Sequence, residues 1–310
     1  MHAGKIMTAT APIRVLHLSE TSGKDFLRGL LLTGQCIPFI GAGFTAGERA
    51  YRGQVPGGSE FMNMMRGAIN AASTTEKPDA SSLENYTFQQ LADEYFREPI
   101  VPQSEIKSTL RDRFTGVSIT SEAKKDFIRW DWEYLYTLNI DDAIERELSA
   151  IKVLPFTDFA QHKTTQFVFK LHGDAEDAVT AATSDAMRLV FGSADYIESL
   201  IKNRALISTL ANDIAERHLV FVGCSLTDEL DILFALAHIK TSTGVLPNTN
   251  RVYVTASEPT DYESKKKLRR YGITEVLVVD YAEFYAFVAS TENPRSALRS
   301  PLDPYLYEIK

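Results

Sequence analysis

The chain has 310 residues, 44% hydrophobic and 24% charged, a globular mix sized for one large α/β domain with an insertion or for two small domains. No uninterrupted apolar run approaches the roughly 20 residues that cross a bilayer, and Met1 to Thr10 holds no apolar core of signal-peptide length, so a cytoplasmic protein is expected. A net charge of −8 argues weakly against a broad nucleic-acid surface, and two cysteines, Cys36 and Cys224, cannot build a four-cysteine zinc site and read as buried free thiols rather than a disulfide framework.

The first buried strand is expected at Gln35 to Ile40, an apolar run with Cys36 inside it and a glycine turn after it. From Glu60 to Trp130 the pattern is mostly helical, with stripes at Phe61, Met64, Met65, Ala68 and Ile69 and at Phe88, Leu91, Tyr95 and Phe96, broken by Pro99 and Pro102. Strands follow at Tyr134 to Leu138 and Phe167 to Leu171, then a second helical stretch from Ser193 to Arg217. Further strands are expected at Leu219 to Val222, with Cys224 just beyond, at Arg251 to Thr255 and at Glu275 to Val279. Lys265, Lys266, Lys267, Arg269 and Arg270 read as a solvated helix face. The tail from Thr291 to Lys310 holds three prolines and reads as an extended arm or linker. Continuous apolar strands alternating with helices predict an α/β, Rossmann-like, doubly wound parallel sheet with an inserted helical module over about 60–130.

Four strand ends carry groups that suit chemistry. Gly41-Ala42-Gly43-Phe44-Thr45 follows the first strand and is able to hold a phosphate, although a glycine turn serving only strand-to-helix geometry fits it equally. Gly53, Gly57 and Gly58, with Arg49 and Arg52 nearby, read as a loop able to close over that phosphate, or as an ordinary surface loop. Thr137-Leu138-Asn139-Ile140-Asp141-Asp142 places Asn139, with a donor and an acceptor, at a strand's carboxyl edge, where ligands bind in open sheets. The same residues also read as a helix N-cap with dipole-favourable acids. Lys170-Leu171-His172-Gly173 puts an imidazole at the next strand end, suited to a base near neutral pH. His162, His218 and His238 lack such a setting. Phe221-Val222-Gly223-Cys224-Ser225-Leu226 ends on a hydroxyl that suits a ribose or phosphate, and Asp228 and Asp231 read as early-helix acids rather than catalysts.

In order and approximate spacing, these motifs resemble the sirtuin family. Its Gly-Ala-Gly-x-Ser turn is matched by Gly41 to Thr45, its Thr-Gln-Asn-Ile-Asp by Thr137 to Asp141, its His-Gly by His172-Gly173 and its Gly-Thr-Ser-Leu by Gly223 to Leu226. Two departures stand out: no cysteine lies between His172 and Gly223, so the zinc ribbon of deacylases is missing, and so is their Pro-Asp-Phe-Arg segment after Gly43. The chain looks instead like the zinc-free, sirtuin-like NADase branch of prokaryotic antiviral defence systems.

The resemblance implies that residues 1–290 form one NAD-binding domain, with helical parts at about 60–130 and 193–217, and that 291–310 is a C-terminal arm or linker. It implies NAD as a substrate, no metal, and cleavage to nicotinamide and ADP-ribose through an oxocarbenium-like centre. Asn139 and His172 would be catalytic, with Gly41, Ala42, Gly43, Thr45, Asp141, Gly223 and Ser225 binding the dinucleotide. An NADase that depletes NAD on infection would act as a homo-oligomer or with a defence partner, a DNA-translocating ATPase or an Argonaute-like protein, without binding nucleic acid directly or a membrane. The alternatives are an NAD-dependent protein deacylase lacking zinc and a non-catalytic module that binds NAD or ADP-ribose.

Overall fold

Short apolar runs bounded by Gly, Asn and Asp become parallel strands because both of their faces are covered by helices. The computed structural model describes residues 12–97, 100–156, 167–183, 185–227, 229–243 and 249–294. Its strands are β1 (Arg14–His17), β2 (Cys36–Ile40), β3 (Tyr134–Thr137), β4 (Ile151–Val153), β5 (Phe167–Lys170), β6 (His218–Val222), β7 (Arg251–Thr255) and β8 (Glu275–Val278). They form one sheet in the order β1-β8-β7-β6-β2-β3-β5-β4, with every pairing parallel. From β2 the chain passes to β3, out to the edge strand β4 and back between the two to β5, then crosses to the other side of β2 for β6, β7 and β8. The reversal puts a topological switch point beside β2, and ligands of open α/β sheets bind at the carboxyl ends of the strands there.

Side chains alternate between two cores. Along β6, Val220 and Val222 join the core that also holds Ile40, Leu135 and Val168, while Leu219 and Phe221 join the opposite one. On that second face the register sets Phe221, Phe39, Tyr136 and Phe169 side by side across β6, β2, β3 and β5. Their ring centroids lie 5.1, 5.9 and 5.0 Å apart, the range in which aromatic pairs add about 0.5–1.5 kcal/mol beyond area burial. The hydroxyls of Tyr134 and Tyr136 both donate to Asp213 on the covering helix, at 2.7 and 2.5 Å, so the ladder buries no unsatisfied phenol there.

The helices are α1 (Thr21–Leu32), α2 (Gly58–Ala71), α3 (Ala80–Leu83), α4 (Phe88–Ala92), α5 (Gln103–Phe114), α6 (Glu122–Arg129), α7 (Ala143–Leu148), α8 (Ala175–Thr180), α9 (Ser193–Lys202), α10 (Arg204–Glu216), α11 (Leu230–Thr243), α12 (Tyr262–Arg270) and α13 (Tyr281–Ser290). The stretch α2 to α6 connects β2 to β3. Local chemistry punctuates it: Thr87 and Gln90 form a reciprocal capping box that starts α4, and a π-turn over Asp93–Arg97 ends it. Phe61, Met65, Leu91, Tyr95 and Phe114 from these helices share one continuous core with the sheet residues Ile40 and Val222. Between β5 and β6, where a ribbon would sit, the chain forms α8, α9 and α10.

Two strands escape the apolar-run reading. β1 and β4 are edge strands of four and three residues with mostly exposed or half-buried side chains, so neither carries a continuous apolar signal. The basic segment forms α12, with Lys266, Arg269 and Arg270 exposed and only Leu268 buried. Most of the proline-bearing tail, from residue 295 onward, lies outside the described residues.

Candidate active site

The ends of β2, β3, β5 and β6 open into a cleft of about 710 Å³ at the carboxyl edge of the sheet. Gly41, Ala42, Gly43, Thr45, Asn139, Asp141, His172, Gly223 and Ser225, taken from four separate motifs, all line it. The helical insertion contributes Phe61, Met62, Phe88 and Phe114 to the lining, together with the polar Ser59, Thr87 and Gln89. The cleft therefore joins a polar floor made by strand ends to aromatic side chains of the insertion. Among the described residues, its ionisable lining groups include Asp141, His172 and Glu229.

The glycines meet one another. Gly41 and Gly43 donate to the carbonyls of Val222 and Gly223, each at 2.9 Å, which locks the β2 turn onto the β6 turn. A methyl group on Gly41 would lie 2.6 Å from the Gly223 oxygen, and one on Gly223, whose φ is +68°, would lie 2.5 Å from the Phe44 nitrogen. Close approach of two backbones demands these residues, whatever else they bind. Among the described residues, the amides of Ala42, Gly223, Cys224 and Ser225 have no backbone partner, which leaves donors at this junction for an anion. Ser225 is exposed in the cleft.

Thr45 lines the cleft with a buried side chain. It is fully buried, and its hydroxyl lies 2.7 Å from Asp141 Oδ2 and 2.8 Å from Asn139 Nδ2. Asp141 also accepts from the Ala143 amide through Oδ1 at 3.2 Å, so it, and not the N-cap residue Asp142, supplies a side-chain bond to the start of α7. Asp142 instead accepts from the amides of Gly116 and Val117, both at 2.8 Å, which ties the end of the insertion to the Asn139 loop. Asp142→Ala strands both of those donors and should cost about 1–3 kcal/mol, read as a lower urea midpoint.

Beneath the loop, Lys170 is fully buried and its ammonium donates to the Asp141 carbonyl at 2.5 Å, to Glu145 at 2.6 Å and to Asp174 at 2.7 Å. Burial alone would discharge it. The surrounding Glu145, Asp174 and Asp141 outweigh that and hold its pKa above the ordinary value. Burial raises the Asp141 pKa, opposed by Lys170 and by the Thr45 hydrogen bond.

His172, 6% exposed, has Nε2 at 3.2 Å from Asp231 Oδ2 and 3.1 Å from the Tyr196 hydroxyl. Glu229 stands 4.0 Å away. Burial favours the neutral ring, but the Asp231 hydrogen bond and the charges of Asp231 and Glu229 outweigh it and raise the pKa above 6.5. With Nε2 engaged by Asp231, Nδ1 is the ring atom left for a ligand, having no protein partner among the described residues. Asp231 is indeed in the first turn of α11, but it is 1% exposed and spends its carboxylate on His172 rather than on solvent. Nothing in its sequence setting distinguished it from an ordinary dipole-favourable acid. Tyr196 likewise read only as part of a helical stripe.

The remaining expected groups lie elsewhere. Arg49 and Arg52 do not line the cleft, and Arg52 is an exposed partner of Asp112. Their loop is held by Arg113, which donates to the Gln54 carbonyl and to Glu60. His218 Nδ1 accepts from the Asn250 amide between β6 and β7, a structural role, and His238 is exposed on α11. His162 and Asp228 are outside the described residues. Cys36 and Cys224 are buried free thiols, and burial pushes the Cys36 pKa up to about 12. Among the described residues, no group of three or more His, Cys, Asp or Glu could hold a metal ion, and no helix is long and apolar enough to cross a membrane.

No curated protein matches the chain. Residues 133–276, a little under half of it, match the family described as a SIR2-like domain. The match starts after the Gly41 to Thr45 turn and ends inside β8, and it takes in Asn139, Asp141, His172, Gly223, Ser225 and Asp231. Over that stretch the chain is similar to SIR2-like domains.

Proposed function

We propose that the protein is an NAD+ glycohydrolase, which splits NAD+ and water into nicotinamide, ADP-ribose and a proton. The observation that carries this reading is the presence of Asn139 and His172 in one cleft at the switch point of a sheet that is similar to SIR2-like domains over both residues. The cleft suits the substrate in shape and donor set. The Gly41/Gly223 junction and the exposed Ser225 offer donors to pyrophosphate and ribose, and Asp141 and Glu229 favour a cationic pyridinium on the floor. The aromatic side chains Phe61, Phe88 and Phe114 offer faces against which a planar ring can pack.

In this reading His172 takes the proton of the attacking water, or of a ribose hydroxyl, at Nδ1, while Asp231 holds Nε2–H and stabilises the imidazolium that forms. Asn139 positions the water or sugar. Nicotinamide leaves as a neutral molecule, so the leaving group needs no strong acid. Asp141 would stand near the carboxamide.

The resemblance extends the proposal to an effector that depletes NAD in antiphage defence, as a homo-oligomer or beside a partner protein. The paired Ile197 and Ile201, each 62% exposed on the outer face of α9, support a contact surface on the helix that carries Tyr196.

The test is to incubate the purified protein with NAD+, alone and with an acyl-lysine peptide, and to resolve products by chromatography. Nicotinamide and ADP-ribose in equal amounts without peptide are expected. Appearance of 2′-O-acyl-ADP-ribose only when peptide is present would make it a deacylase, and NAD+ bound but intact would make it a binding module.

A further inference from the structure

We infer that Thr45 is a positioning residue whose hydroxyl fixes the orientation of the Asn139 amide, so that Asn139 meets the substrate with its carbonyl oxygen rather than its NH2. The kinetic consequence rests on the NAD+-cleaving reading; the geometry does not.

Hydrogen counting sets the orientation. A threonine hydroxyl has one hydrogen to donate, and an ionised carboxylate can only accept. Thr45 Oγ1 touches two side chains, Asp141 Oδ2 at 2.7 Å and Asn139 at 2.8 Å, so its hydrogen goes to Asp141 and it must accept from Asn139. Only the Nδ2 end of an amide can donate. Each member of the relay is held in turn. Asp141 accepts from the Ala143 amide, Thr45 sits in the short helical turn after Gly41 with its backbone amide bonded to Ala42, and the Asn139 amide nitrogen of the main chain donates to Thr137 Oγ1 at 3.0 Å.

The relay leaves one group over. Asn139 Oδ1 is buried and has no partner among the described residues, although the residue lines the cleft. Folded proteins rarely abandon a buried acceptor, and such a group next to a cleft is completed by a ligand's donor. A ribose hydroxyl or a water supplies that donor. A reversed amide would turn a carbonyl toward the lone pairs of Thr45 and offer the sugar NH2 instead. Since the Thr45 hydrogen is already spent on Asp141, it is not free for a phosphate. Loss of the hydroxyl should therefore act on turnover and not on affinity.

The experiment compares Thr45→Ser, Thr45→Val and Asp141→Asn by two readouts. In nicotinamide release, Thr45→Ser should stay within about threefold of wild type, while Thr45→Val should lose roughly tenfold or more in kcat with KM for NAD+ nearly unchanged, the signature of an interaction used only in the transition state. A raised KM at unchanged kcat in Thr45→Val would mean that Thr45 binds the phosphate and would overturn the inference. The second readout is proton exchange at the Asn139 side-chain NH2 by NMR in the protein without NAD+. Protection is expected in wild type and Thr45→Ser. It should be lost in Thr45→Val and in Asp141→Asn, where the new carboxamide lets the Thr45 hydroxyl accept instead of donate. Equal protection in all four proteins overturns the inference whatever the enzyme assay gives. If wild type releases no nicotinamide, the functional reading falls and the exchange measurement still decides the role of Thr45.

Discussion

His172→Ala is expected to lower NAD+ cleavage by about 10²–10⁴-fold, the usual worth of a positioned general base, and to lower the melting temperature as well, because the buried Asp231 loses its partner. The ring sits at the rim of the sheet, with its Nε2 engaged by Asp231 and the Tyr196 hydroxyl and its edge against Phe191 and Tyr196. Removing it leaves the buried Asp231 carboxylate without that partner, so rates are compared on protein shown to be folded by circular dichroism. The acid limb of the pH profile makes the assignment sharper. A base works only when neutral, so turnover should fall as pH drops through the His172 pKa, which lies above 6.5 because Asp231 and Glu229 outweigh burial. Asp231→Asn removes the hydrogen-bonded charge, leaves burial in place, and should move that limb to lower pH while the plateau rate drops. The measurement is initial nicotinamide release from pH 5 to 9 for the three proteins. Wild-type release by His172→Ala, or a limb that Asp231→Asn leaves in place, would remove His172 from the chemistry.

Which parts of this site could be read beforehand follows from the range of the forces involved. Strand ends were legible because β2, β3, β5 and β6 are buried on both faces and end abruptly in Gly, Asn or His. All nine expected residues come to one cleft for that reason, since parallel strands in one sheet must end on one edge. What each residue touches was not legible. Gly41 and Gly223 are 182 positions apart in number, and their mutual contact depends on β2 pairing with β6, a fact of topology. Asp231 lies 59 residues from His172 and looks like any acid in a first helical turn. Tyr196 occupied a position in an apolar stripe, where a phenol hydroxyl is silent. The aromatic lining was visible only as helical periodicity, because periodicity tells which residues face inward and not which of them face a cleft. Lys170 has no signal of its own in the sequence, since its partners come from α7 and the turn before α8.

That lysine carries the largest stability effect expected in the molecule. Lys170→Met keeps the length and apolar stem of the side chain and deletes the ammonium, leaving Glu145 and Asp174 buried at 9% and 1% exposure around an empty position. Breaking a buried ion pair by removing one partner typically costs about 3–5 kcal/mol. The carbonyl of Asp141 loses its donor at the same time, so the Asn139 loop should loosen and NAD+ cleavage should fall with stability. The loss should depend on pH in a definite direction. Burial raises Glu145 to about 7 even with Lys170 present, so between its unfolded value near 4.5 and about 7 the folded protein binds the extra proton and stability declines as pH rises. Asp174 works oppositely: Lys170 and Lys152 overcome its burial and hold its pKa below 3.8, so its contribution is present above the unfolded value and is lost on acidification. Without Lys170 both carboxyls shift upward, Asp174 keeping only Lys152 at 2.8 Å. The variant should therefore lie closest to wild type near pH 5, where its buried acids can be neutral, and furthest from it near pH 8. Urea unfolding at the two pH values measures this directly. A deficit that is equal at both, or larger at pH 5, would show that Lys170 acts by packing and that the charges around it are not what the fold depends on.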